Sequence, residues 1–139
     1  MNKQYYISEA KRAANIQINE LKKIKKIFNK SFIKAVDLIL NCKGKIIFAG
    51  IGKSGLIARK ISATFSSVGI PSFFCDPAQA LHGDMGQIEK KDILIIFSYS
   101  GNTSELTNMI KYANRYSIKI IGIASKPDSI LLKASDIKL

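Results

Sequence analysis

The chain has 139 residues, 47% of them hydrophobic, with 22 Lys and Arg against 10 Asp and Glu and a formal net charge of +12. That length and apolar content suit one domain with its own core and exclude a disordered chain. The charge raises a nucleic-acid reading, but arginine is confined to Arg12, Arg59 and Arg115, and no helix-turn-helix, zinc-finger or RNP-like pattern is present. The excess is lysine, which solvation explains, so neither nucleic acid nor membrane is an expected partner. Met1 to Arg12 is too polar for a secretory signal, and no apolar run reaches the roughly 20 residues of a membrane span. A cytoplasmic protein is therefore expected. Cys42 and Cys75 stand apart with no metal-ligand spacing, so neither suggests a disulfide framework or a zinc site.

In chain order, Ser8 to Leu40 reads as helical, with Leu21, Ile24, Phe28 and Phe32 recurring at three- and four-residue steps. Lys22, Lys23, Lys25 and Lys26 fill the other face. Residues 1–41 are expected to form an amphipathic helical segment packed on the domain of residues 42–139. Asn41-Cys42-Lys43-Gly44 closes the segment as a helix stop. An alternation follows: strand Lys45 to Ala49, helix Lys53 to Val68, strand Pro71 to Cys75, and a connection from Asp76 to Lys91 with little regular pattern. Strand Ile93 to Phe97, helix Glu105 to Tyr116, strand Lys119 to Ala124 and a short helix Ser129 to Ala134 come next, and Asp136 to Leu139 begins another strand. Apolar strands alternating with helices predict an α/β fold with a parallel sheet covered on both faces.

Gly50-Ile51-Gly52-Lys53-Ser54-Gly55 joins the first strand to its helix and fits G-x-G-x-x-G, with Asp76 at the end of the second strand where a ribose-binding acid would stand. A dinucleotide site is one reading. A P-loop is not, because the glycine it needs five residues before Gly52 is Ile47. In a third reading the glycines admit a sugar phosphate, with Lys53 supplying charge and Ser54 a hydroxyl. A plain tight turn with Lys53 in solvent accounts for this loop equally well.

The stretch Ser98-Tyr99-Ser100-Gly101-Asn102-Thr103-Ser104-Glu105 says more. It lies between a buried strand and a helix N-terminus, where free N–H groups and the helix dipole favour an anion. Ser98, Ser100 and Thr103 can donate to phosphate oxygens, Gly101 lets the backbone come close, and Glu105 adds a carboxylate. Each residue alone is an ordinary cap. Together, at the carboxyl end of a strand, they point to a site.

Taken with Ser62-Ala63-Thr64-Phe65, Pro71-Ser72-Phe73-Phe74 and Leu81-His82-Gly83-Asp84-Met85-Gly86, these two loops resemble the sugar isomerase (SIS) family, and within it the arabinose-5-phosphate isomerases. The resemblance runs from about Cys42 to Asp136. It implies a three-layer sandwich around a five-stranded parallel sheet, usually assembled as a tetramer. The chain is expected to stop before the last strand and helix of that fold, and to lack the CBS modules and second active-site histidine of family members. The implied activity interconverts D-ribulose 5-phosphate and D-arabinose 5-phosphate through an enediol, for Kdo and lipopolysaccharide synthesis. A non-catalytic sugar-phosphate-binding module of the same family is the alternative. By this resemblance Lys53, His82 and Glu105 carry the chemistry, while Gly52, Ser54, Ser98, Ser100, Gly101 and Thr103 hold the phosphate. Glu105 would serve as base if partial burial raised its pKa, and His82 would assist ring opening. Asp76 stands where relatives often carry a metal-associated histidine, so no metal is expected, and no cofactor.

Overall fold

Each central strand sends alternate apolar residues to opposite faces of one sheet, and helices cover both. A computed structural model describes residues 3–139. The elements are α1 (Lys3–Ile24), a 3₁₀ turn (Lys25–Ile27), α2 (Lys30–Leu40), β1 (Ile46–Gly50), α3 (Lys53–Ser67), β2 (Ser72–Cys75), β3 (Ile93–Phe97), α4 (Leu106–Arg115), β4 (Lys119–Ile123), α5 (Ile130–Ala134) and β5 (Ile137–Lys138). Two short 3₁₀ turns, Ala80–His82 and Asp84–Gln87, lie in the connection between β2 and β3, where the sequence showed little pattern.

All strand pairs are parallel, in the order β2-β1-β3-β4-β5. Ile47, Ala49, Leu94, Ile96 and Ile120 face a core completed by Leu106, Met109, Ile110 and Ala113 of α4 and Leu131 of α5. Ile46, Phe48, Ile93, Ile95 and Ile121 face the other core, against Ala35 of α2 and Ala58, Ile61 and Phe65 of α3. This period-two division gives the three layers. The two sides bury most of the apolar side chains of β1, β3 and β4 almost completely.

The long N-terminal helix expected from Ser8 to Leu40 is two helices. Asn29 interrupts it: its Oδ1 accepts the Ser31 N–H at 2.7 Å and caps α2. A side chain that offers the backbone this alternative competes with helix continuation. The two halves differ in burial. α1 contains no buried residue, whereas α2 places Ala35 in the core beside Leu38 and Ile39. No helix among the described residues is long and apolar enough to cross a membrane.

The chain moves outward from β1 to β2, then returns to the other side of β1 to form β3. That reversal opens a crevice at the carboxyl ends of β1 and β3, where open α/β sheets hold ligands. Both loops singled out in the sequence emerge there.

Candidate functional site at the carboxyl end of the sheet

The glycine loop is shaped by close approach. A Cβ on Gly55 would stand 2.6 Å from the Gly50 carbonyl oxygen, so the start of α3 can lie against β1 only if residue 55 is glycine. Lys53 follows as the first residue of α3, exposed, with no ion pair among the described residues. A cation at a helix N-terminus opposes the dipole by about 0.3–1 kcal/mol, so stability does not account for Lys53. Ser54 is half-buried beside it.

The second loop is held more firmly. Ser98 is buried, and its Oγ accepts the Gly101 N–H at 3.0 Å and lies 2.9 Å from Thr103 Oγ1. Its hydroxyl therefore shapes the loop, and the half-buried Thr103 shares in that bond. Ser100 Oγ accepts the Asn102 N–H at 3.2 Å. Gly101 has φ +66°, and a Cβ there would collide with Ser129 and crowd Ala124. Its carbonyl accepts the Leu131 N–H at 2.9 Å, and Asn102 Oδ1 accepts the Ile130 N–H at 2.9 Å, which ties the loop to the first turn of α5.

Glu105 lacks the burial that would raise its pKa. Its carboxylate stands in the open, next to the start of α4. Its own backbone N–H and the Ser104 hydroxyl, which donates at 2.8 Å, hold its pKa below the usual carboxylate value. The partial burial that would have raised it is absent, because α4 begins one residue later, at Leu106, and the Glu105 side chain does not pack against the sheet. The group is thus an ionised carboxylate near neutral pH.

A cavity of about 210 Å³ opens beside these loops, lined by Ser54, Phe97, Ser98, Tyr99, Ile123 and Ser125 among others. A second, of about 240 Å³, lies on the β2 side of the glycine loop and is lined by Gly52, Arg59, Phe74 and Asp76. Both suit small ligands, below the roughly 300–1,000 Å³ of sites for drug-sized molecules. A larger concavity, about 580 Å³, is an open groove along residues 16–27 and contains none of the loop residues.

The fold thus brings Ser54 and Ser98 to one cavity and keeps Ser100, Gly101 and Thr103 on the adjoining loop. It does not join Lys53, His82 and Glu105: none lines either cavity, and no hydrogen bond or ion pair links them among the described residues. His82 is exposed at the end of the Ala80–His82 turn. Asp76 spends one carboxylate oxygen on the Ala78 N–H at 2.9 Å. Cys75 is buried, and burial with the nearby Asp84 and Asp76 charges pushes its thiol up to about 11, so it is no thiolate nucleophile near neutrality. The sequence reading missed Ser125. Its signal was position: it follows the fourth apolar strand, at the same carboxyl edge as the two loops.

Comparison with known proteins follows the same outline. The SIS domain family matches residues 39–139. Uncharacterized protein RP505 of Rickettsia prowazekii is 43% identical over 139 residues, covering 100% of this chain and 44% of that protein. Arabinose 5-phosphate isomerase GutQ of Escherichia coli K12 is 41% identical over 116 residues, covering 84% of this chain and 36% of its own length. The chain thus spans about two fifths of the curated relatives it matches. The solved structure of E. coli CFT073 c3406 in complex with arabinose 5-phosphate superimposes with a TM-score of 0.86 at 35% identity, covering 99% of this chain and 73% of that one. The sheet order also differs from the 3-2-1-4-5-6 order of the dinucleotide-binding fold, since only β2 lies beyond β1. A glycine turn that reads as a nucleotide fingerprint is here the opening turn of a SIS domain, and to that family the chain belongs.

Proposed function

We propose that the protein binds a pentose phosphate at the carboxyl end of its sheet and interconverts D-ribulose 5-phosphate and D-arabinose 5-phosphate. The observation that carries this is the hydroxyl-lined cavity at the β1/β3 reversal, in a domain about 40% identical to a named arabinose 5-phosphate isomerase. The arabinose 5-phosphate held by the E. coli relative supports the same ligand class. In this reading the phosphate lies on the Ser100–Thr103 turn and Ser54, with loop N–H groups and the α4 N-terminus facing its charge. Lys53 faces the negative charge that grows on the enediolate oxygen. Glu105 takes the proton from C1 of the ketose or C2 of the aldose and returns it to the neighbouring carbon, so no net proton or electron is gained. His82 passes a proton between ring oxygen and anomeric hydroxyl when the aldose ring opens. The reaction needs no metal or cofactor, and its product would supply Kdo and lipopolysaccharide synthesis in the cytoplasm.

Residues 1–41 serve as an accessory helical segment and 42–139 as the sugar-phosphate domain, a division supported by the family match beginning at residue 39. The apolar side chains that α1 leaves exposed, among them Tyr6, Ile7 and Leu21, support a homo-oligomer.

A second reading, a SIS module that binds sugar phosphate without turnover, is favoured by the open Glu105, whose lowered pKa makes it a weaker base. One experiment separates the two: D-ribulose 5-phosphate turnover by the purified chain, with Glu105→Gln as control. The isomerase reading expects arabinose 5-phosphate formation that falls about 10³-fold in the variant. Binding without turnover establishes the module, and absence of both defeats the sugar-phosphate assignment.

A further inference from the structure

Tyr99 is the odd member of the hydroxyl-rich loop. Its neighbours on either side turn inward in whole or in part, while its side chain is 81% exposed. Its backbone is nonetheless fixed. The Ser98 N–H donates to the Ile123 carbonyl at 3.0 Å, and the Tyr99 carbonyl accepts both the Ser125 N–H at 3.0 Å and the Ser125 hydroxyl at 2.6 Å. The β3–β4 pairing therefore continues one step past both strands, and a free ring is carried on a clamped main chain. Its hydroxyl has no protein partner and its ring no aromatic contact among the described residues. Both Tyr99 and Ser125 line the 210 Å³ cavity, whose remaining wall includes the apolar Ile57, Phe97 and Ile123.

A phosphate group alone makes no use of an aromatic face. A hydroxylated carbon chain does: its C–H side packs on the flat ring, and its hydroxyls exchange hydrogen bonds with the phenol. Building on the sugar-phosphate reading above, we propose that Tyr99 is the specificity-determining residue that reads the sugar portion of the ligand. Ser125 is its positioning residue, holding the Tyr99 carbonyl so that the ring overhangs the cavity mouth. The division of labour is thus by atom group, with turn hydroxyls and N–H groups for the phosphate and one phenol for the carbon chain.

The test is calorimetric titration of arabinose 5-phosphate and, separately, inorganic phosphate into the full chain and its variants. Tyr99→Ala should weaken arabinose 5-phosphate about tenfold and change inorganic phosphate by less than about twofold, with Tyr99→Phe between. Ser125→Ala should follow Tyr99→Ala, and Ser125→Thr, which keeps the hydroxyl, should restore binding. Tyr99 is exposed, so thermal unfolding of its variants should match the parent. Equal weakening of both ligands by Tyr99→Ala, or none, overturns the assignment while leaving the sugar-phosphate site standing. A parent protein that fails to bind arabinose 5-phosphate overturns that site and this assignment together.

Discussion

At the amino end of the sheet, Asp92 and Asp136 stand one residue before β3 and β5, and each is fully engaged. Asp92 accepts the Lys45 N–H at 2.7 Å and the Glu89 N–H at 2.8 Å, with the Lys45 ammonium 3.1 Å away. Asp136 accepts the Ile120 N–H at 2.9 Å and pairs with Lys119 at 2.6 Å. At the carboxyl end, Lys53 has no ion pair among the described residues, and Glu105 has only the Ser104 hydroxyl and its own N–H. The same residue types therefore tie adjacent strands together at one edge and stand open at the other. Charges are paired where the sheet needs closure, and a cation and a carboxylate stand unpaired where the two loops open.

At the carboxyl end, Gly101 is the position least able to take a side chain. Gly101→Ala would put a Cβ into Ser129 at a left-handed φ, a loss of about 3–4 kcal/mol from strain and overpacking, read by urea unfolding. At the opposite edge, Asp92→Ala leaves two N–H groups without their acceptor and the Lys45 ammonium with Glu89 alone. It should cost about 3 kcal/mol and leave the carboxyl-end loops unchanged in ligand titrations.

Acid sharpens the contrast. Burial alone would raise the Asp92 and Asp136 pKa values. The backbone N–H donors and the Lys45 and Lys119 ammoniums outweigh it and hold both below the usual carboxylate range. Their stabilisation is present above the unfolded value of about 4 and is lost as pH falls through the lower folded values. Unfolding followed from pH 7 to pH 2 should show a steep loss below about pH 4, and Asp92→Asn should flatten it. The smallest change is at the surface: Lys119 is more than half exposed, so Lys119→Met should shift stability by at most about 0.5 kcal/mol in the same assay.

Much of the sheet was legible in the sequence because burial on both faces leaves near-continuous apolar runs. Ile93–Phe97 is bounded as its pattern implied, and the other long strands agree within a residue or so. The interruption at Asn29 was not, since the apolar steps run through it and only a cap decides against continuation. The loop at 98–105 was legible as a hydroxyl-rich turn from strand to helix, yet not which hydroxyls are spent on the loop itself. Ser98 and Thr103 meet only because Gly101 turns the chain back, a three-dimensional fact. Glu105 illustrates the converse limit. Its role as base was tied to partial burial, but whether a side chain at a helix start faces sheet or solvent depends on where the first turn lands.

The Gly101 backbone also anchors the start of α5. Its carbonyl holds the Leu131 amide, and Asn102 beside it holds the Ile130 amide, so two donors at the start of α5 are satisfied by the loop that faces the cavity. Hydrogen exchange at Ile130 and Leu131 therefore measures how often that loop opens. A ligand that steadied the loop would show as slower isotope uptake at two positions that do not line the cavity.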